Sequence, residues 1–290
     1  MTASAQACAF EVSVVIPCLN RVDFLCEALS SVYKQSLAPA EVIVVDDGSP
    51  RSLKEKLAGI FPEIRWYRQE NKGVSAARNL GARKAQYPWI AFLDSDDQWQ
   101  PDKLEKQSCF HHENVHILAS HTNEIWVRNG NQVIPPKYLD KSPEQLFQRS
   151  LVRCLICPSS VILHRSIFEQ FEGFDESLPV CEDYDLWLRI LMQKSFGYID
   201  KKLVIKNGGH DDQLSRQVWG MDRFRVQSLE KLVKTTGISS SNKEAILCNL
   251  VQKCKVLSAG FRKHNKEKEA KMYLQKSLQY KNLLPSFESV

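Results

Sequence analysis

Three short apolar runs constrain this chain most: Val12, Val14, Val15 and Ile16; Val42 to Val45; and Trp89 to Leu93. Each reads as a buried strand of a parallel sheet. Pro17 is expected to end the first, since a proline cannot donate to a central ladder. Between the runs the spacing becomes helical. Phe24, Leu25, Ala28, Leu29 and Val32 predict an amphipathic helix to about Gln35, with Asn20 as N-cap and Asp23 in the capping-box position. Leu53, Leu57 and Ile60 mark a short helix, and Ile64 to Tyr67 a short strand. Ser75 to Ala85 predicts a helix capped by Ser75, and another follows from about Pro101 to His111. The order β-α-β-α-β-α-β predicts a parallel, right-handed α/β arrangement up to about His111.

From Val115 the pattern changes. Ile117 to Ala119, Glu124 to Val127 and Gln132 to Ile134 read as strands, with Asn129-Gly130 a hairpin turn. Helices are expected over Ser142 to Leu151, Ser166 to Phe171 and Asp183 to Met192, with strands at Ser159 to Leu163 and Ile199 to Ile205. Leu186, Trp187, Ile190 and Leu191 form one apolar face, so Trp187 is expected in the core; Trp99 and Trp219 are expected to pack as well. Beyond Gly220 the pattern is helical: Met221 to Lys234, Asn242 to Arg262 and Glu267 to Leu278, with lysine-rich polar faces.

Net charge is +5 over 290 residues, too mild to imply nucleic acid but compatible with an anionic substrate or a loosely held membrane surface. No apolar run reaches the length of a membrane span, and no secretory signal is visible at the N-terminus. Nine scattered cysteines, among them Cys8, Cys18 and Cys248 in apolar contexts, read as reduced thiols of a cytosolic protein. Cys154 and Cys157 form a single CxxC with no second pair to complete a zinc site.

The chemistry is concentrated where strands end. Asp94, Asp96 and Asp97 follow the third run directly, and open α/β sheets place their ligands at the C-terminal ends of strands. Carboxylates so crowded repel one another unless a cation lies among them. An all-oxygen donor set suits Mg²⁺ or Mn²⁺ held together with substrate phosphates. The plainer alternative is a polar loop capping the helix that Pro101 opens. Asp46-Asp47-Gly48 after the second run, and Asn71-Lys72-Gly73 with Arg78-Asn79, can converge on the same sheet edge, though each alone is also ordinary turn chemistry. Glu182-Asp183 read by themselves suit the first turn of a helix.

Taken in order, these blocks resemble the inverting GT-A glycosyltransferases of family 2. Val12 to Asn20 matches the family's first strand and asparagine turn, Val42 to Ser49 its second strand and acidic turn, and Asn71 to Gly81 its third block. Asp94-Ser95-Asp96 stands as the DxD motif and Glu182-Asp183 as the later acidic pair. The resemblance covers about residues 11–215. It implies a Rossmann-like GT-A fold, an α/β domain with a mostly parallel sheet flanked by helices, here with a C-terminal helical extension. It implies a donor pocket in which Pro17 and Asp47 line the nucleoside, with Asn20 and Asp46 nearby. Asn71, Gly73, Arg78 and Asn79 then flank the base and diphosphate. Asp94 and Ser95 face the ribose, and Asp96, with Asp94, holds a divalent metal (Mn²⁺ or Mg²⁺). Asp183, beside Glu182, is the implied general base. His210 lies where related enzymes carry a late loop that closes on the diphosphate, and its ring can reach the metal or a phosphate.

The resulting expectation is a metal-dependent inverting transfer from an NDP-sugar, with UDP as default, to a hydroxyl acceptor on a glycan or lipid-linked glycan. The chain divides as 1–115 for the nucleotide-sugar half, 116–220 for the acceptor side and 221–290 for the helical region. The expected location is cytoplasmic, with peripheral contact at the inner membrane face through the basic C-terminal helices. A sugar nucleotidyltransferase is the rival enzyme, but it carries a glycine-rich loop after the first strand, where this chain has Pro17-Cys18-Leu19-Asn20-Arg21. A non-catalytic nucleotide-sugar-binding protein of the same fold is the other rival.

Overall fold

The computed structural model describes residues 10–210, 213 and 218–284. Asp211 and Asp212 of the His210 loop, and Cys8, lie outside the described residues. In chain order the elements are β1 (Val12–Cys18), α1 (Val22–Tyr33), β2 (Glu41–Asp46), α2 (Leu53–Leu57), β3 (Arg65–Arg68), α3 (Val74–Lys84) and β4 (Trp89–Phe92). There follow β5 (Gln98–Trp99), α4 (Lys103–Glu113), β6 (Ala119–Arg128), β7 (Asn131–Val133), α5 (Leu146–Val152), β8 (Ile162–His164) and α6 (Arg165–Gln170). The last are α7 (Glu182–Leu191), β9 (Gly197–Gly208), α8 (Asp222–Leu232), α9 (Ser240–Lys263) and α10 (Glu267–Asn282). The chain folds as two compact units, neither continuous in sequence: Met1–Pro135 with Pro158–Gly173 and Phe196–Gly208, and Pro136–Cys157 with Phe174–Ser195 and Gly209–Val290.

The first unit holds one sheet in the order β3-β2-β1-β4-β8-β6-β9-β5, with β7 paired to β6. Strands β3, β2, β1 and β4 are all parallel, as the alternation of apolar runs and helices predicts. Val14, Val15, Ile16, Val44 and Phe92 are fully buried, because helices cover both faces of such a sheet.

Pro17 does not end β1. Its partner across β2 is Val45, and β1 continues to Cys18. The carbonyl of Val15 accepts from Leu93 on the β4 side, whereas that of Cys18 accepts from Asp47 on the β2 side. Alternation along the strand therefore turns position 17 toward β4, whose pairing with β1 stops at Val15. No ladder donor is demanded of the proline there, so a central strand tolerates it.

Asn20 is not the helix cap. It has φ 53°, its amide donates to Ser49 Oγ at 2.8 Å, and α1 begins after Arg21. Nor does Ser75 cap α3; that helix starts one residue earlier, behind Gly73 at φ 89°. The two strands read at Ile117–Ala119 and Glu124–Val127 are one strand, β6, whose middle is polar. His121 and Thr122 are nonetheless buried, and β9 pairs with β6 from Ser120 to Arg128, with a shift of register on either side of Asn123. The Asn129-Gly130 turn stands as expected, both residues having positive φ.

In the second unit, α5, α7, α8, α9 and α10 share a core that includes Leu151, Tyr184, Leu188, Leu229, Leu250 and Phe261. Trp187 is buried and Trp99 packs in the first unit, as expected; Trp219, though 46% exposed, packs edge-on against Phe261 and His264, whereas Cys248 lies on the surface. None of the eight cysteines among the described residues forms a disulfide. No helix among the described residues is long and apolar enough to cross a membrane.

Candidate active site

Strand β4 delivers the acidic turn. Asp97 N–H donates to the Asp94 carbonyl at 3.0 Å, closing the turn directly after the buried strand. Three polar anchors then fix it. Ser159 Oγ accepts the Asp94 amide at 3.1 Å and donates to Asp97 Oδ2 at 2.6 Å. The Asn207 amide donates to Asp97 Oδ1 at 3.1 Å, and its side chain donates to the Asp96 carbonyl at 2.9 Å. The Trp99 indole in turn holds the Ser159 carbonyl at 2.8 Å. Burial pushes the Asp97 carboxyl well above the usual carboxylate range, and the charges of Asp96 and Asp94 add to that; Lys206 and the Ser159 hydroxyl oppose it.

Two guanidinium groups face this turn. Arg78, buried on α3, meets Asp94 Oδ1 at 2.6 Å. Arg21, just before α1, meets Asp96 Oδ2 at 2.9 Å. Carboxylate oxygens of Asp94 and Asp97 lie within 4.8 Å of each other. The carboxylate donors that this unit supplies are hard oxygens, and their mutual repulsion disfavours a further negative charge among them. The side chains in this unit therefore fit a Mg²⁺- or Mn²⁺-type ion.

The second acidic turn is built differently. The Asp46 carboxylate is tied into its own turn: Oδ1 accepts from the Ser49 amide at 2.8 Å, and Oδ2 from the Leu53 amide at 3.3 Å, at the start of α2. Asp47 clamps the next loop. Its Oδ1 accepts from Gln69 Nε2 at 2.7 Å and Lys72 N at 2.9 Å, and its Oδ2 from Gly73 N at 2.9 Å. Gly48, at φ 87°, is required between them, since a Cβ there would stand 2.7 Å from the Asn71 amide nitrogen. Pro17, Asn20, Asp46, Asp47, Asn71, Gly73, Arg78, Asn79, Asp94, Ser95 and Asp96 thus all belong to the first unit, at the ends of β1, β2 and β4 and around the start of α3.

Glu182, Asp183 and His210 belong to the second unit. Glu182 and Asp183 open α7, but the cap position is Cys181, in left-handed conformation and without a side-chain cap. Asp183 Oδ1 accepts from the Tyr184 amide at 2.7 Å, and Oδ2 lies 3.4 Å from the Cys154 thiol, which donates to it. Asp183 lies in the first turn of α7, where acidic side chains are favourably placed against the helix dipole. The His210 carbonyl accepts from the Gln213 amide at 3.3 Å, and Gln213 Oε1 accepts from Gly209 N–H at 3.1 Å.

Sequence reading missed Arg21, Ser159 and Asn207. Arg21 follows a turn asparagine and shows only as a basic residue near a helix start. Ser159 and Asn207 have no local signal, since both meet the turn through long-range topology.

Residues 13–171, more than half of the chain, match the family described as Glycosyl transferase family 2. An uncharacterized glycosyltransferase of Rickettsia felis is 35% identical over 196 residues, which is 67% of this chain but 32% of that protein. The chondroitin synthase of Escherichia coli is 28% identical over 195 residues, 66% of this chain and 28% of that one. The chain therefore spans about a third of the length of these relatives. Among solved structures, S. aureus TarS 1-349 in complex with UDP-GlcNAc is similar with a TM-score of 0.70 at 15% identity, covering 95% of this chain and 93% of that one. The mannosyltransferase PcManGT of Pyrobaculum calidifontis in complex with GDP-Man and Mn²⁺ gives 0.58 at 16% identity, covering 94% and 87%. These likenesses show the GT-A fold, and the mostly parallel sheet agrees with it.

Proposed function

Since this chain belongs to glycosyl transferase family 2, we propose that it transfers a sugar from a nucleoside-diphosphate sugar to a hydroxyl of a glycan or lipid-linked glycan, with inversion. The observation that carries this reading is the fixed turn Asp94–Asp97, aimed from the end of a parallel sheet and faced by two guanidinium groups. Asp94 and Asp96 would hold a divalent cation. That ion supplies positive charge against the diphosphate as it leaves, an effect worth several kcal/mol in such reactions.

The protein's own groups do the rest. Asp47, through the 69–73 loop it clamps, shapes the nucleoside side together with Pro17, Asn20 and Asn79. Arg78 orients Asp94 through the ion pair between them. Asp183 takes the acceptor's proton as the acceptor oxygen attacks the anomeric carbon. The bond from that carbon to the diphosphate oxygen breaks, and its electron pair stays with the diphosphate. The adjacent Cys154 thiol restrains the Asp183 carboxylate by donating to Oδ2. His210 contributes to the ion or to a phosphate.

UDP is the favoured nucleotide because the acidic turn suits a uracil edge, and TarS, of like fold, is seen with UDP-GlcNAc. The chondroitin synthase relative favours a polysaccharide-type acceptor. Residues 1–115 serve the donor, 116–220 select the acceptor, and 221–290 support it. The location that fits is cytoplasmic, with the lysine-rich faces of α9 and α10 resting against an anionic membrane surface.

A panel of UDP-, GDP- and dTDP-sugars, screened by thermal shift with Mn²⁺ and followed by release of labelled NDP, tests the reading. One donor should raise the melting temperature only with the ion present and be turned over. Stabilisation without turnover across acceptor extracts would identify a sensor, and pyrophosphorolysis of the donor a nucleotidyltransferase.

A further inference from the structure

We propose that Arg21 is a positioning cation that makes divalent-ion binding at Asp96 conditional on the nucleotide diphosphate. The inference rests on the reading of Asp96 as an ion ligand.

Both carboxylates of the Asp94-Ser95-Asp96 segment already face a guanidinium, but the two arginines are anchored differently. Arg78 lies inside helix α3 with its side chain 4% exposed, so its pairing with Asp94 is part of the packing. Arg21 precedes its helix, with φ −124° and ψ 65°, directly after Asn20 in left-handed conformation. Its backbone is fixed, because its carbonyl accepts from the Leu25 amide at 2.9 Å. Only the long side chain crosses to Asp96, and that side chain is 19% exposed beside a carboxylate 15% exposed. With the backbone held, rotation about the Arg21 side-chain bonds is the movement by which the pair would part.

A divalent ion arriving at Asp96 meets the charge of Arg21 on the same carboxylate. The ion must either share the oxygen against repulsion or displace the guanidinium, and displacement into water forfeits a charge-assisted hydrogen bond. A nucleoside diphosphate changes this balance. Its phosphate oxygens match the planar fork of arginine, so the guanidinium released by the ion gains a new anionic partner. Ion and nucleotide should then favour each other's binding, and by linkage the effect is reciprocal. The arrangement keeps the ion from occupying the acidic turn unproductively and sets Arg21 beside the leaving group as a second positive charge.

Electron paramagnetic resonance of Mn²⁺ tests this on the full chain, by titrating the ion with and without saturating UDP, and again with GDP. The wild type should bind Mn²⁺ weakly alone and much more tightly with nucleotide. Arg21→Gln should bind Mn²⁺ alone about tenfold more tightly than wild type, and the enhancement by nucleotide should shrink by a similar factor. Arg21→Lys keeps the charge but not the fork, and should fall between the two; it carries the comparison should the glutamine variant fail to fold. A glutamine variant with a lowered melting temperature but unchanged nucleotide enhancement would make Arg21 a simple tether and overturn the inference alone. Absence of Mn²⁺ binding by the wild type with either nucleotide would sink the donor-site reading and this inference together.

Discussion

The Ser159 hydroxyl donates to Asp97 Oδ2 at 2.6 Å while accepting the Asp94 amide at 3.1 Å, so one buried side chain fastens both ends of the acidic turn. Removing it in Ser159→Ala leaves a buried amide and a buried carboxyl each short of a partner. The expected loss is about 1–3 kcal/mol of stability, accompanied by weaker Mn²⁺–nucleotide binding. Urea denaturation and Mn²⁺ titration measure the two effects. A stable variant with wild-type ion affinity would show that the turn keeps its shape without this anchor.

Asp96→Asn tests the ion ligand most directly. It keeps the volume and removes the charge that Arg21 faces. Nucleotide binding supported by Mn²⁺ should collapse to its ion-free level in calorimetry. If the affinity with Mn²⁺ is undiminished, the ion is held elsewhere.

Asp183→Asn should preserve donor affinity and lower transfer by about 10²–10⁴-fold, the usual worth of a positioned base. Donor affinity and kcat, measured separately, distinguish this from a folding defect. Near-normal transfer would assign the base to another carboxylate.

His111 sets an acid limit on stability. Its Nδ1–H donates to the Ile117 carbonyl at 2.9 Å, and its Nε2 lies 2.9 Å from Ser120 Oγ, which also accepts from Gln107. Nε2 therefore accepts from the serine, and the ring is held neutral. Burial pushes its pKa down to about 4, against the opposing pull of the Ile117 hydrogen bond and with help from His112 and His164. The unfolded chain, with an ordinary histidine pKa, binds this proton first. The contribution is thus intact above the unfolded value and is lost as pH falls toward about 4. Between pH 7 and 5 this site should cost about 2 kcal/mol. Chemical denaturation at both pH values should show a shallower pH dependence in His111→Gln; an identical slope would place the acid sensitivity elsewhere.

Much of the first unit is written locally. Buried parallel strands need continuous apolar runs, and Val12 to Ile16, Val42 to Val45 and Trp89 to Phe92 supply them. The Asn129-Gly130 turn is equally local, because two successive positive φ angles favour those residue types. Local reading failed where backbone demand was removed or added by a neighbour. Pro17 is tolerated because β4 pairing ends at Val15, and Asn20 takes a left-handed turn rather than a cap because Ser49 receives its amide. Polar His121 and Thr122 do not interrupt β6, because β9 supplies its ladder.

The sequence by itself determined that three carboxylates follow a buried strand and that two more open a later helix, since strand and helix periodicities are properties of neighbouring residues. Only the tertiary structure decided what each carboxylate faces. Arg21 reaches Asp96 across 75 positions, Ser159 reaches Asp97 across 62, and Asn207 reaches Asp97 across 110. Periodicity reports which face of an element is buried; the partner brought against that face is chosen by sheet order and strand register, which nothing local in the chain encodes.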